Sequence, residues 1–361
     1  MFKCKPDYEE AQKNLDLFWE NEDAGRPMVY MTYQKPEWKP FPKKDYPNLE
    51  ARWLDLEYRV EEAAYWMENT VFVGEAMPVL FPNLGPEVFS AWAGCPYQYG
   101  EDTTWTSPCV FDWEKDGDKA VVDPNHPLYK KLEEYTSLAL KRAEGSFMVG
   151  LTDFHPGGDH IAALRDPQTL ATDLLEYPEF VKAKLKSSNV EYFAAFDHFL
   201  HMLQKAETPV ASWLPVTARE SMYIPSNDFS CMISTKMYEE FFYDGIRDEC
   251  RHYGRSIYHL DGPGALRHLD AICTIPELNA FQWVPGAGRE QVAPWIGVFK
   301  RMLAAGKSIM AFPQNMDDLR VLMDNLPSKG VYIQTWPLKN AEEAADLMKL
   351  IEGWPRGNKV K

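Results

Sequence analysis

The stretch SIYHLDGPG, from Ser256 to Gly264, decides the fold class because a short apolar run ends here on polar residues and glycine. Side chains two positions apart on a strand share a face, so His259 and Asp261 are predicted to point the same way. Gly262 then frees the backbone to turn directly after the strand. An imidazole and a carboxylate at the carboxyl end of a strand are typical positions for site residues in a parallel α/β protein.

Eight short β-prone runs of this kind occur along the chain. They are Pro27 to Thr32, Met77 to Phe81, Phe147 to Thr152, Pro209 to Val216, Ser256 to Asp261, Ala280 to Pro285, Ser308 to Phe312 and Gly330 to Trp336. From the third onward, most are followed by a segment with helical spacing, best at Pro178 to Lys205, Thr235 to His252, Arg289 to Ala304 and Asn340 to Glu352. This alternation predicts parallel strands with crossovers, and eight strands predict an α/β protein with a (β/α)8 TIM barrel as a single domain over residues 1–361.

Two segments lie outside this regular alternation. The acidic segment from Asp7 to Glu22 has apolar residues at helical intervals and predicts an N-terminal helix. Residues 33–146 form an irregular insertion, in which 44–70 predict a helix and Val110 to Val122 predict a hairpin. Long connections inside a compact domain are usually binding or lid elements, so we expect this insertion to cover the barrel mouth.

The composition restricts the classes of partner. Lys and Arg number 38 against 54 Asp and Glu, a formal charge of -16, which disfavours binding to nucleic acid or to an anionic membrane surface. No stretch approaches the roughly 20 apolar residues of a membrane span. The first ten residues carry three acids and no apolar run of a secretion signal, so the sequence predicts a cytoplasmic protein, and we expect a small-molecule substrate. A homodimer is left open.

Several common catalytic and structural motifs are missing from the sequence. The six cysteines include no C-x-x-C pair, which argues for reduced thiols instead of a disulfide framework or a compact zinc knuckle. There is also no G-x-x-x-x-G-K-[ST], H-E-x-x-H or G-x-S-x-G motif. Nucleotide-driven chemistry and hydrolysis by a serine triad are therefore disfavoured.

The candidate catalytic residues come from two strand ends. His259 and Asp261 form the first pair, and Asp153 and His155 repeat the same spacing after the third run. Such pairs can tune a proton-transfer group, bind a metal or hold a polar substrate. The structural alternatives are that Asp261 caps the following helix and that Asp159 is a helix N-cap.

The candidate substrate-binding residues lie at or just after other strand ends and in the polar loop from Thr217 to Ser230. They are Tyr33, Trp213, Glu220, Asp228, Trp283, Gln334 and Trp336. For the aromatic residues, the structural alternative is packing in the core.

Four stretches together resemble a known family. They are DHIAALRDPQTLATDLLEYPEFV (Asp159 to Val181), DFSCMIS (Asp228 to Ser234), YHLDG (Tyr258 to Gly262) and FQWVPGAG (Phe281 to Gly288). They resemble the uroporphyrinogen decarboxylase superfamily, which also contains cobalamin-dependent methyltransferases. The resemblance spans residues 146–352 and implies a (β/α)8 barrel with a deep central cavity.

The sequence departs from both branches of that superfamily. The decarboxylase branch has an N-terminal Arg-rich motif for substrate carboxylates, whereas here Arg26 stands alone. The zinc-dependent methyltransferase branch has His-x-Cys on the fifth strand and a second Cys near the barrel's end. In that pattern His259 matches the His, Asp261 replaces the Cys, and the last strand offers Gln334. Without thiolates we expect at most weak zinc binding, and the identity of any metal stays unknown.

The resemblance and these residues lead to one hypothesis and two alternatives. The hypothesis is a methyltransferase of one-carbon metabolism that acts between a small methylated substrate and a corrinoid carried by a partner protein. His259 and Asp261 would polarise the substrate heteroatom directly or through a metal, and Trp213, Trp283 and Trp336 would wall the cavity and hold a methylated cation. The alternatives are a decarboxylase or lyase of a small aromatic or pyrrole-like acid, and a non-catalytic ligand-binding barrel.

Overall fold

Ten β-strands and sixteen α-helices occur within residues 2–355, the part of the chain that the computed structural model describes. The strands are β1 (Met28–Gln34), β2 (Thr70–Gly74), β3 (Val79–Leu80), β4 (Tyr97–Tyr99), β5 (Thr104–Thr106), β6 (Met148–Val149), β7 (Ile257–Asp261), β8 (Ala280–Val284), β9 (Ser308–Ala311) and β10 (Val331–Gln334).

The helices cover most of the intervening chain. They are α1 (Tyr8–Trp19), α2 (Leu49–Trp53), α3 (Leu56–Glu68), α4 (Val88–Trp92), α5 (Trp113–Asp116), α6 (Pro127–Ala143), α7 (Gly157–Arg165), α8 (Pro167–Glu176), α9 (Pro178–Lys205), α10 (Thr235–Phe241), α11 (Tyr243–Tyr253), α12 (Gly262–Ala265), α13 (Leu269–Cys273), α14 (Ile296–Ala304), α15 (Met316–Asn325) and α16 (Ala341–Glu352). Short 3₁₀ helices cover Gly117–Lys119, Asp228–Met232, Leu266–His268 and Ala293–Trp295. No helix within residues 2–355 is long and apolar enough to cross a membrane.

A six-stranded sheet in the order β2-β1-β10-β9-β8-β7 organises the fold. All its neighbours pair in parallel except β1 and β2, which are antiparallel. A second parallel pair joins β3 to β6. Single contacts continue from this pair: Leu151 N, after β6, donates to Ala211 O over 2.8 Å, and Tyr223 forms an isolated bridge with Ser256, next to β7. The predicted α/β class is confirmed, whereas the regular ladders of the described residues do not close the predicted strands into a ring.

Seven of the eight predicted β-runs contain a regular strand. The prediction for Pro209 to Val216 is wrong, because this segment forms only an isolated antiparallel bridge between Val210 and Ala218. Proline has no N–H to donate to a ladder, and this short segment contains Pro209 and Pro215.

The predicted hairpin at Val110 to Val122 is also wrong. The chain forms α5 and a 3₁₀ turn there, because the Asp112 carboxylate caps the helix by accepting from Glu114 N and Lys115 N over 3.0 and 3.3 Å. The hairpin of this insertion is instead formed by β4 and β5, which pair antiparallel a few residues earlier.

The predicted helices are found with some changes at their ends. α9 has the predicted bounds, and Asn340 caps α16 by accepting from Glu343 N. The predicted helix at Thr235 to His252 is two helices that meet at Phe242, and the one at 44–70 is α2 and α3. The N-terminal helix is shorter than predicted and the helix after Arg289 begins later, at α14 with a 3₁₀ turn before it.

Both faces of the six-stranded sheet are buried, as expected for parallel strands. One face contributes Met28, Met310 and Tyr332 to a hydrophobic cluster that includes residues of α1, α6 and α9. The opposite face contributes Val29, Ile309 and other residues to a second cluster with α14, α15 and α16. The sheet is therefore held rigidly, and side chains at its carboxyl edge are positioned by the strand register.

A buried carboxylate ties the N-terminal elements to the sheet. Glu75, 1% exposed, accepts two hydrogen bonds from the Arg26 guanidinium over 2.9 and 2.8 Å. It also accepts from Asn14 of α1 and from Val29 N of β1, over 2.7 and 2.8 Å. Four charge-assisted contacts offset the cost of burying this carboxylate.

We expect Glu75→Ala to lower the free energy of unfolding by about 3 kcal/mol, because it leaves a largely buried guanidinium and a backbone N–H without their acceptor. Glu61→Ala is the matched control, since Glu61 is half-exposed and should lose less than about 1 kcal/mol. Urea unfolding of the three proteins measures both values. Equal losses in the two variants would contradict this role of Glu75.

Candidate functional site

Parallel pairing places a row of polar side chains at the carboxyl edge of the sheet. His259 of β7 lies opposite Gln282 of β8, and an isolated parallel bridge places Ser226 on its other side. Since paired residues of neighbouring strands share a face, these three side chains lie next to one another. The same register position is occupied on β9 and β10 by Met310 and Tyr332, which belong to the hydrophobic cluster.

The orientation of His259 is set by its neighbour. Its Nδ1 lies 2.6 Å from Oε1 of Gln282, and because an amide oxygen only accepts, Nδ1 is the donor of this hydrogen bond. Its Nε2 lies 3.9 Å from Oδ1 of Asp228, and the Trp213 ring packs edge-on at a centroid distance of 5.3 Å. Nε2 is therefore available to bind a ligand.

Asp261 completes a three-residue cluster. One ligand atom from each of Asp228, His259 and Asp261 can be chosen so that all lie within 4.8 Å of one another. The Asp261 side chain makes no capping hydrogen bond to α12, so the structural alternative of a helix cap is not supported. Burial and the charge of Asp228 raise the pKa of Asp261, and His259 opposes that shift.

A second imidazole and carboxylate pair lies in the loop between β6 and α7. His155 Nε2 lies 2.8 Å from Oδ1 of Asp153, and the Tyr223 hydroxyl anchors the loop by accepting from Phe154 N over 2.9 Å. Burial lowers the pKa of His155. The hydrogen bond and charge of Asp153, together with Asp159 and Asp228, outweigh burial and raise this pKa to about 9.

Asp159 holds the loop that carries Asp228. Asp159 lies in the first turn of α7, and its carboxylate accepts from the backbone N–H groups of Asp228 and Phe229 over 3.0 and 2.9 Å. It therefore caps the 3₁₀ helix Asp228–Met232 and is not the N-cap of α7. Burial, followed by the charge of Asp228, raises the pKa of Asp159 to about 6.

These groups open on a cavity of about 710 Å³. Glu87, Ser90 and Pro108 of the 33–146 insertion form part of its wall. His160 lies in the wall with Nδ1 2.8 Å from Ser90 Oγ, and its Nε2 has no hydrogen-bond partner. Burial lowers the pKa of His160 to about 3, so the ring is neutral.

The fold resembles that of a methyltransferase from Methanosarcina mazei. The two chains superpose with a TM-score of 0.57 at 10% sequence identity, over 94% of this chain and 97% of the other. At this identity the likeness concerns the fold alone. No protein-family model matches the sequence, and no curated protein matches it.

The structure brings five predicted residues to the cavity and places Asp261 beside it. The cavity residues are Asp153, His155, Trp213, Asp228 and His259. Gln334 lies on the sheet face of His259, because it follows Tyr332 by two positions on β10, but it does not line this cavity.

Four predicted residues lie elsewhere. The register pairs Gln282 with His259 and Trp283 with Leu260, so Trp283 lies on the sheet face opposite His259. There it packs against Trp295 at a centroid distance of 5.1 Å. Tyr33 also contacts the cluster on that outer face. Trp336 follows the end of β10 and lines a groove beside α16. Glu220 is exposed, and its neighbour Arg219 is paired with Asp16 of α1, so this segment is directed away from the cavity.

Sequence reasoning missed Gln282, Ser226 and His160. The alternation of Phe281, Gln282 and Trp283 carried the signal for Gln282, but the choice between the two faces required the register with β7. Ser226 belongs to the polar loop from Thr217 to Ser230, but nothing in the sequence distinguishes it within that loop, and only its bridge to His259 brings it to the site. Cys231 is in the same 3₁₀ helix as Asp228, but its thiol is not part of the group formed by Asp228, His259 and Asp261 that could hold a metal ion.

We expect Asp153→Asn to lower the pKa of His155, because a neutral amide no longer stabilises the imidazolium. A raised histidine pKa adds stability that is fully present below about pH 6.5 and is lost as the pH rises through about 9. The stability difference between wild type and variant should therefore shrink over that interval. NMR titration of the imidazole and urea unfolding measure the two effects, and a wild-type His155 that titrates near pH 6.5 would contradict the assignment.

Proposed function

We propose that this protein transfers a methyl group from a small O- or N-methylated substrate to a corrinoid carried by a partner protein. The observation that carries the proposal is the convergence of Asp228, His259 and Asp261 within 4.8 Å at the carboxyl end of β7, beside the cavity. The fold likeness to a methyltransferase supports the same reaction class. We further propose that the two parallel sheets belong to one (β/α)8 barrel of the uroporphyrinogen decarboxylase type.

The charge of the cavity favours methyl transfer over the decarboxylase alternative. Among the described residues, no Lys or Arg lines it, whereas five acidic residues do. These are Glu87, Asp153, Asp159, Asp166 and Asp228. The imidazolium of His155 also lines the cavity, but it is already paired with Asp153 over 2.8 Å, so a carboxylic acid substrate would find no unpaired cation for its carboxylate. A neutral or cationic methylated compound carries no such penalty, and the cavity volume is in the range of small-molecule sites.

The cluster of Asp228, His259 and Asp261 fits a divalent cation. Two carboxylate oxygens and one imidazole nitrogen are suitable donors, and Gln282 orients the ring of His259 as outer-shell partners of metal-bound histidines do. Asp228, His259 and Asp261 would hold the ion, which would supply Lewis acidity towards the substrate heteroatom. The set lacks thiolates and is harder than a zinc site for thiol substrates.

The chain's own residues would act on the leaving heteroatom. In methyl transfer the bond between the methyl carbon and the heteroatom breaks, and the heteroatom keeps the electron pair. A group that stabilises this electron pair lowers the barrier. His259 and Asp261 lie where they could contact that atom, while the Trp213 ring would limit the space around it. His155, protonated near neutral pH, would be a proton reserve on the cavity wall.

We expect His259→Ala and Asp261→Asn each to remove most turnover with little change in melting temperature, because groups at strand ends carry little of the core's burial energy. The double variant should lose scarcely more than either single one, since residues that act as a unit are non-additive. The assay is methyl transfer to free cob(I)alamin, followed by its visible spectrum, over a panel of O- and N-methylated compounds.

The control for these variants is Asp270→Asn, which changes an exposed carboxylate of α13 that is paired with Arg301 and does not line the cavity. It should retain wild-type turnover. Variants of His259 and Asp261 that keep full activity per folded molecule would contradict a catalytic role of this pair. A wild-type protein that binds compounds of the panel but turns none of them over would instead support the non-catalytic ligand-binding barrel.

We expect zinc to bind weakly, so that protein purified without chelator holds less than one zinc per chain and dialysis against EDTA removes it. Added Mn²⁺ or Zn²⁺ should bind with lower affinity to Asp228→Asn and Asp261→Asn than to Asp270→Asn. Elemental analysis and calorimetric titration measure these quantities. One zinc per chain that resists EDTA would show that further ligands are present.

A further inference from the structure

Two cysteines lie at the base of the β4–β5 hairpin, one before β4 and one after β5. Beyond the last pair of the ladder, Ser107 N donates to Pro96 O over 2.9 Å, so the pairing continues past both strand ends. There the sulfur atoms of Cys95 and Cys109 are 3.4 Å apart, and both side chains are free thiols. The fold therefore holds together two thiols that are 14 positions apart in the sequence.

The distance between these sulfur atoms is within reach of a covalent bond. A disulfide has an S–S length of about 2.05 Å, so the two atoms would have to approach each other by about 1.4 Å. Cys95 and Cys109 both lie in connecting segments, outside the regular helices and strands. Side-chain rotation with a small backbone shift in these segments can supply the movement, and no ladder hydrogen bond has to break.

The two thiols differ in exposure and in reactivity. Cys95 is 3% exposed, and its sulfur also lies 3.6 Å from Ala163 O of α7, whereas Cys109 is half-buried. The hydrogen bond from Cys95 lowers the pKa of the Cys109 thiol; burial opposes this shift, and the charge of Lys184 supports it. Because the thiolate is the attacking form, Cys109 is the thiol that reacts first with a dissolved reagent.

The hairpin and the helix behind it both contribute to the wall of the cavity. Thr106 and Pro108 line the cavity from the hairpin, and Ala163 lines it from α7. The backbone of the same segment is bound to that helix, because Cys109 N donates to Leu164 O over 3.0 Å. A covalent bond between the two ends of the hairpin would therefore restrain this part of the wall.

We propose that Cys95 and Cys109 are a reversible thiol–disulfide pair, which a small-molecule disulfide of the glutathione type oxidises and which then ties the base of the hairpin at the cavity wall. The pair is separate from the cluster around His259, and it does not depend on the proposed methyl transfer.

The oxidation proceeds by two thiol–disulfide exchanges. The thiolate of Cys109 attacks one sulfur of the small disulfide, whose S–S bond breaks, and the other half leaves as a thiolate that takes up a proton. Cys95 then loses its proton and attacks the Cys109 sulfur of this mixed disulfide, which releases the second half in the same way. Two protein thiols are oxidised, and one small disulfide is reduced to two thiols.

Peptide mapping of the intact protein after incubation with glutathione disulfide tests the pair. Trypsin leaves both cysteines in one fragment, Val60 to Lys115, which contains no other cysteine. Further cleavage after glutamate, at Glu101 among others, separates Cys95 from Cys109 unless a disulfide joins the two pieces. We expect the pieces to stay joined, with no glutathione attached, and to separate after treatment with dithiothreitol.

Two single variants distinguish the roles of the thiols. Cys95→Ser should hold glutathione as a stable mixed disulfide at Cys109, because no second thiol displaces it. Cys109→Ser should take up at least about tenfold less glutathione at Cys95, because that thiol is buried. Cys231→Ser is the matched control: Cys231 is an exposed cysteine outside the pair, so this variant should form the link like wild type.

Hydrogen exchange measures the effect on the cavity wall. Amides of β4 and β5 should exchange more slowly in the oxidised protein than in the reduced protein, because a disulfide opposes the opening of the loop that it closes. His259→Ala should form the link and show the same slowing, whatever its methyl-transfer activity.

Several results would overturn the proposal. Glutathione that remains on Cys109 of the wild type, or a disulfide from either cysteine to another residue or another chain, would show that the two thiols do not act as a pair. If Cys95 and Cys109 both stay unmodified, their contact is only the packing of two reduced thiols. Equal hydrogen exchange in the reduced and oxidised proteins would contradict the restraint of the wall.

Discussion

The site depends on the parallel register that places His259 between Ser226 and Gln282. The 2.6 Å contact between His259 and Gln282 would not form if β7 and β8 were shifted by one residue, because every side chain would then change faces. This contact leaves Nε2 directed towards Asp228. The metal-binding and substrate-polarising properties proposed for the cluster follow from that orientation.

Features with a local signal could be predicted from the sequence. His259 and Asp261 share a face because strand periodicity depends only on adjacent residues. The bounds of α9 were predicted because helical spacing persists over its whole length after Pro178. Asn340 similarly fits a helix start, and its side chain accepts from Glu343 N.

Features that require pairing between distant segments could not be predicted. The sequence predicts that Gln282 and Trp283 are on opposite faces of a strand, but it does not say which face is turned to the site. Only the pairing of Gln282 with His259 of β7 shows that the glutamine is on the site's face. Asp159 has the appearance of a helix N-cap in the sequence, yet its partners are N–H groups about seventy residues later, at Asp228 and Phe229. Whether the eight predicted strands close into one ladder also depends on pairing between distant segments, and among the described residues Pro209 to Val216 contacts its neighbours only through single bonds.

The electrostatics of the cavity wall are better explained by function than by stability. Burial, followed by the charge of Asp228, raises the pKa of Asp159 to about 6, and the same two causes raise the pKa of Asp261. Repulsion of this kind opposes folding, and apolar residues at these positions would avoid it. The backbone N–H groups at Asp228 and Phe229 and the imidazolium of His155 offset part of the cost. The remaining repulsion would be relieved by a bound cation, whether a metal ion or a methylated ammonium group. A cavity that favours positive charge in this way is consistent with methyl transfer and unfavourable for a carboxylic acid substrate.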